Sequence, residues 1–542
     1  MRKLNEPNFE GLSDRDRATV VEMVKKGATR REVMAWMMAA GATAAAAGSV
    51  FGGAKEAWAN TPKKGGRMVI SSDQHGPADT LDPAAMTASI DYIRSRMVYN
   101  GLVRMQKDLS YAPELAEEIL PNADASEWTF KLKKGVEWHN GKSFNADDVI
   151  YTMNRHLGAD SKSVVNSLYE GVESWQKVND HEVKAILKTP NADLPAILGL
   201  FQSKIIPDGQ TDFSAAPGTG PFKVAEFKPG VRCVVQRNEN YHEEDGPYLD
   251  EIESLGIGDS VARVSALLAG DIDIMANLPP KSIEQIEQDS GTEVWSTPSS
   301  AYITFACRQD MEMSGNRDLV RAMQLLMDRE RLVKGVFKGQ ASVGNDHPIG
   351  PAYFDHCADI PQRPMDPDQA KFHFEKSGIG NTPIPVITAE VAPGCVEMGT
   401  YLQREASKIG MNIDLKKVTT DGYWSAVWLK EAICAVSWNM RPTANIMLTL
   451  AYESKANWNE TYWKSEQFDK LLVEVRSVTD AAKRKQMYCD LQTLIHEDGG
   501  SITPVYRNYV DAVRTHVKGL TYVPLNAFGG AECPQYLWRD DA

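Results

Sequence analysis

The side chains of this chain best suited to chemistry are tryptophans and arginines. Five of its twelve tryptophans, Trp424, Trp428, Trp438, Trp458 and Trp463, fall within forty residues. Rigid indoles bury much apolar area at little entropic cost and suit the walls of a small-molecule pocket. The i,i+4 spacing of Trp424 and Trp428 suits a helix packed on a core equally well. Trp438 ends the apolar run Ile433–Trp438, and Arg441 follows three residues later. A guanidinium offers a planar fork that matches carboxylate or phosphate. A second arginine, Arg308, ends the run Tyr302–Arg308, and strand alternation puts it on one face with Tyr302 and Thr304. Two arginines in one cleft predict an acidic ligand. The alternative is a pair of surface arginines loosely matched to carboxylates.

Covalent chemistry finds no foothold. The chain has no H-E-x-x-H, G-x-S-x-G or Walker loop. Its ten histidines lack metal-ligand spacing, with His347, His356 and Cys357 coming closest. No catalytic residue, metal ligand or cofactor is therefore predicted. Asp147 and Asp148 could pass for a catalytic pair, but behind Asn145 they read as the capped, dipole-matched start of a helix.

The elements that must position these groups are short and mixed. Arg67–Ser71 reads as a strand opening into the polar loop 72–83, whose Ser72, Asp73, Gln74 and His75 can face a cleft. Lys223–Phe227 and Val231–Gln236 read as a hairpin turned at Pro229-Gly230. A helical stripe runs from Leu319 to Met327, Asp328 caps the next helix, and Asp366-Pro367 opens another that stops at Gly378. Ile384–Ala389 and Met411–Val418 read as strands, and 466–478 and 480–496 as long helices. Ser501–Val510 and Ala512–Val523 read as two final strands. Asn345-Asp346 and the stretch 457–460 are further cleft candidates.

A chain of 542 residues exceeds one compact core, so two or three domains are expected. The formal charge of −14 argues against nucleic acid. At the N-terminus, Arg30-Arg31 precedes a weakly apolar, alanine-rich stretch and the A-x-A pattern Ala57-Trp58-Ala59. That order reads as a twin-arginine export signal over residues 1–59, placing the mature protein in the periplasm. The seven cysteines show no C-x-x-C. They read as mostly buried thiols, with one disulfide possible, involving Cys357.

Several strings carry a family likeness: TLDP (80–83), YNGLVR (99–104), APELAEE (112–118) and TFKLKKGVEWHNGKSFNADDVIYTMNR (129–155). GTGPF (218–222) with RNENY (237–241), and RDLVRAMQLLMDRERLVKGVFKGQ (317–340), follow in order. Together they resemble the family 5 extracytoplasmic solute-binding proteins, the peptide and nickel receptors of ABC importers. The resemblance implies a two-lobed α/β fold of the large, dipeptide-receptor-like periplasmic-binding-protein type II. Lobe I would span 62–305 with an insertion subdomain near 106–215, lobe II 306–504, and 505–542 would return to lobe I. It implies a monomer that closes on a small solute and delivers it to a membrane permease with its ATPase. The alternatives are a metal-chelate or nickel-complex receptor and a sensory or chaperone binding protein. Implied ligand contacts are Asp73, Gln74, His75, Tyr302, Arg308, Trp438, Arg441 and Trp458. Peptide-binding relatives carry an aspartate for the ligand's ammonium after the strand that ends here at Trp438. WNMRPTANIM (438–447) has no acid, so the reading shifts to a peptide or organic solute bearing a carboxylate.

Overall fold

The computed structural model describes residues 61–541 apart from Asp421 and Thr479. Arg30, Arg31, Ala57 and Ala59 lie outside the described residues. One eleven-stranded sheet organises the molecule, and two long antiparallel strands, Thr292–Cys307 and Ser501–Arg514, run through its middle. On one side of them lie Ile433–Trp438, Ile384–Thr388 and Ile413–Lys417. On the other lie Ile274–Met275, Arg67–Ser72, Glu251–Gly256 and the hairpin Phe222–Lys228/Arg232–Arg237. The last element differs from expectation. Ser501–Arg514 is one uninterrupted strand, because Asp511 points into the protein and accepts two backbone N–H bonds instead of breaking the ladder.

Direction matters more than strand count. Ile433–Trp438 runs antiparallel to the first long strand, pairing Tyr302 with Trp438 and Cys307 with Ile433. Arg67–Ser72 runs parallel to Ile274–Met275, which is antiparallel to the second long strand at Val513 and Ala512. The carboxyl ends of the two groups therefore face each other across the middle of the long pair. There the register between the long strands shifts, between Thr297 and Ala301. Facing carboxyl ends leave a crevice where loops, not ladders, satisfy the chain.

A separate four-stranded antiparallel sheet, in the order 116–121, 127–132, 182–187 and 172–179, forms a subdomain inside the first half. Its strand Glu182–Leu187 alternates part-exposed and buried residues, as one wet face requires. Helix Ala146–Asn154 starts on a capping box: Asn145 accepts from Asp147 N, and Asp148 accepts from Asn145 N. The paired aspartates are thus a helix start. The subdomain also meets the second half directly. Asp193 pairs with Arg484 at 2.6 Å, and Asn457 donates to Asn166 at 3.4 Å.

The YNGLVR and APELAEE strings fold around one buried carboxylate. Glu114 accepts from Arg96, Asn100, the Gly101 N–H and Arg104 at 2.7–3.1 Å, with Lys204 at 3.8 Å. Burial alone would raise Glu114, but the surrounding cations hold its carboxyl well below the usual range. In the second half, Asp346 is clamped between Arg329 and Arg363 at 2.7 and 2.8 Å. That assigns Asp346 to the scaffold and not to a cleft. Cys357 and Cys489 form a disulfide, and the other five cysteines are free and buried. Replacing Glu114 by alanine removes the acid shared by three cations, leaving Arg96 with Glu532, Arg104 with Glu243 and buried Lys204 without a close acid among the described residues, and should lower unfolding stability by about 3–5 kcal/mol. A urea midpoint equal to that of the parent would show that this cluster does not hold the first lobe together.

Candidate functional site: an arginine in an aromatic cleft

Trp438 sits at the carboxyl end of its strand, so its indole projects where the two sets of strands face each other. It stacks on Tyr302 with centroids 6.3 Å apart and planes 7° from parallel. Trp458 lies 5.8 Å from it and Trp428 6.3 Å, both edge-on. Trp424 extends the cluster outward and is 43% exposed. The expectation of core packing for Trp424 and Trp428 thus describes only Trp428, which is half-buried.

Arg441 occupies the centre. Its guanidinium carbon is 6.0 Å from the Trp438 ring and 5.9 Å from the Trp458 ring, within cation–π reach of both. Its backbone N–H donates to the Tyr353 hydroxyl at 2.9 Å, fixing where the side chain starts. The guanidinium faces the hydroxyl of Tyr92, on helix Ser89–Val98 of the first lobe. Arg441 is 8% exposed, its Nε has no partner, and it forms no ion pair among the described residues. A buried, unmatched guanidinium is costly. It marks where an anion belongs.

Glu460 lies behind this wall, fully buried. It accepts from the Trp428 indole N–H at 2.6 Å, and the Trp438 indole N–H faces it. Burial pushes its carboxyl up to about 7, against those two donors.

The remaining expected contacts divide. Asp73 is half-buried on the first-lobe side and accepts from Asn277 Nδ2 at 2.9 Å. Gln74 accepts from the Ser89 N–H, and His75 Nδ1 bonds Gly230 O while its ring lies against Gly256. Both side chains serve the scaffold. Arg308 does not join Arg441. It lies beyond Cys307, at the far end of the strand from Tyr302, where it pairs with Asp310 at 2.7 Å and stacks 4.0 Å over Tyr462. Strand alternation said nothing of the distance along the strand, and the register shifts between Ile303 and Phe305. Sequence reasoning also missed Tyr92, Tyr353, Arg507 and Tyr509. An arginine inside the apolar run 501–513 was the available signal for the last pair.

Residues 110–474 match the model of the bacterial extracellular solute-binding proteins, family 5. The chain belongs to that family. It is thus an extracytoplasmic solute receptor by descent. The oligopeptide-binding protein AppA of Bacillus subtilis is 25% identical over 503 residues, covering 86% of this chain and 91% of that protein. The periplasmic binding protein DppA of Helicobacter pylori, solved with the peptide STSA, superposes with a TM-score of 0.79. It is 20% identical and covers 90% of this chain and all of that one. AgaA of A. tumefaciens R10, solved with agropinic acid, gives 0.79 at 22% identity, covering 88% of this chain and 99% of that one. The two-lobed periplasmic-binding-protein fold expected from the motifs is what these structures share.

The receptor's buried acids set a pH dependence. Folded Glu460 keeps a proton that the unfolded chain releases near its ordinary value of 4.5, so stability falls as pH rises from there through about 7. Asp511 and Asp91, also raised to about 7, act in the same direction. These three acids should therefore contribute a drop in thermal midpoint between about pH 5 and about pH 8, offset below about pH 6.5 by buried His139, His156 and His347, which are lowered to about 4, 3 and 3. Glu460→Gln should make that drop shallower; an unchanged slope would acquit Glu460.

Proposed function

We propose that this protein is the substrate-binding component of an ABC importer that captures a carboxylate-bearing solute, peptide or otherwise, by lobe closure. The observation that carries the carboxylate is Arg441, buried and unpaired where the two lobes meet. Trp438, Trp458 and Tyr302 wall the solute, and Tyr92 supplies a hydroxyl from the opposite lobe. Residues on both lobes must touch the guest, because a ligand drives closure only by binding the closed state better. The register shift at Thr297–Ala301 is the natural hinge, with little regular pairing to resist rotation. The relatives, an oligopeptide-binding protein and an ABC-transporter-associated periplasmic binding protein, support the coupling to a permease. The receptor acts as a monomer. The paired Arg30-Arg31 and the Ala57-Trp58-Ala59 pattern direct it to the periplasm by the twin-arginine route.

In calorimetry with a copurified or screened solute, Arg441→Ala should weaken binding by about 2–4 kcal/mol, the loss of a charged hydrogen-bonded pair in a dry site. Unchanged affinity would sink the anion anchor. Replacing Arg30-Arg31 by Lys-Lys should strand uncleaved precursor in the cytoplasm on fractionation. Normal export of that variant would point to another route.

A further inference from the structure

We propose that the cleft holds a second anion subsite at Arg507, so that its preferred solute is an organic diacid with two separated carboxylates. The inference rests on Arg441 as the first anchor and extends it.

Arg507 belongs to the second long strand and pairs with Ala301, at the register shift between the lobes. Its side chain is 4% exposed. The one hydrogen bond of its guanidinium is a long one, Nη2 to Ser437 Oγ at 3.4 Å, and Nε has no partner. No carboxylate lies within ion-pair distance of it among the described residues. Other buried or part-buried arginines, although Arg94, Arg263, Arg329 and Arg514 each also keep one unbonded guanidinium nitrogen, have strong partners of one of two kinds. Arg94, Arg96, Arg329 and Arg363 pair with acids at 2.7–2.8 Å. Arg263 and Arg514 donate to backbone carbonyls instead. Arg507 and Arg441 do neither.

The two unmatched guanidiniums share a neighbour. The Tyr509 ring lies 5.1 Å from the guanidinium carbon of Arg507. The Tyr509 hydroxyl accepts the N–H of Met440, next to Arg441, at 3.2 Å and donates to Asn439 Oδ1 at 2.9 Å. Ser437, the partner of Arg507, precedes Trp438 at the same carboxyl end. Arg507 thus lies beside Ser437 on the crossover strand while Arg441 lies just beyond the end of the Trp438 strand, and Tyr509 stands between them. The acid nearest along the strand, Asp511, is tied to the backbone N–H groups of Asn277 and Phe528, and burial raises it to about 7. Asp511 is thus hydrogen-bonded elsewhere, although it lies within electrostatic range of Arg507. Two forks on either side of one tyrosine fit two carboxylates on one small molecule.

Isosteric pairs that differ by one carboxylate test this on the full mature chain by isothermal titration: Ala-Gln against Ala-Glu, and N-acetylglutamine against N-acetylglutamate. In at least one pair the diacid should bind at least tenfold more tightly. Arg507→Gln and Arg507→Met should erase that preference while leaving the monoacid unchanged. Because the arginine is buried without a partner, Arg507→Met should also raise the melting temperature of the ligand-free receptor. Equal affinity or no binding within both pairs overturns the proposal. So does a preference that survives in both variants, or a ligand-free melting temperature that falls in Arg507→Met. Arg441→Ala should weaken both members of the pair together. If it weakens neither, the first anchor fails, whatever Arg507 does.

Discussion

The constraint on which the rest depends is the pairing of two long antiparallel strands that pass from one lobe to the other. Each lobe builds a parallel group onto this pair, and the antiparallel contacts oblige the two groups to point their carboxyl ends at each other. Nothing about a ligand is needed to create the crevice; it follows from strand direction. The residues just beyond those ends, Asp73 on one side and Trp438 to Arg441 on the other, are then brought to one place although they lie far apart in sequence. The register shift at Thr297–Ala301 loosens the pair at the point where bending moves one wall against the other.

The polar contacts between the lobes cannot by themselves close the crevice, although Leu168 and Tyr169 add an apolar seam against helix Ala444–Ala451. The Arg484–Asp193 pair is partly solvated, and pairs of that kind contribute about 0–1 kcal/mol. The Asn457–Asn166 bond is long and exposed. Closure also gathers two unmatched guanidiniums into a dry, aromatic space, which opposes it. On the proposed reading, an anion in the cleft relieves that opposition and favours the closed arrangement. A guest that binds the closed state a hundredfold better shifts the equilibrium by about 2.7 kcal/mol, more than these polar contacts supply.

Much of the scaffold was legible because it is written in local rules. The Asn145 cap, the Asp328 and Asp366 caps, the Pro229-Gly230 hairpin and the helix stop at Gly378 all appear where their chemistry places them. The Trp438–Arg441 corner was legible for the same reason: a strand that ends in an aromatic and a turn. Arg308 was misplaced because alternation reports the face of a strand and not the position along it. Its own neighbour Asp310, two residues on, already offered a partner. Arg507 was missed for the opposite reason. Its charge inside an apolar strand is the only local mark it carries, and the pairing across the sheet is what shows that its position is the crossover. Tyr92 and Tyr353 likewise reach the cleft from elements whose local pattern describes only a buried face.

On the proposed reading, Arg441 does more than add an anion anchor. A free ammonium brought into the crevice would meet Arg441 and Arg507 in a medium of low dielectric, where like charges repel several-fold more strongly than in water. The indoles sharpen this. Trp438 and Trp458 hold the Arg441 guanidinium against their faces, so it cannot swing aside to admit a cation without losing both contacts. Glu460, behind the wall, is occupied by the Trp428 indole N–H, and burial raises its carboxyl to about 7, which weakens what it offers an ammonium. Selectivity in this cleft thus comes as much from the cation it turns away as from the anion it holds.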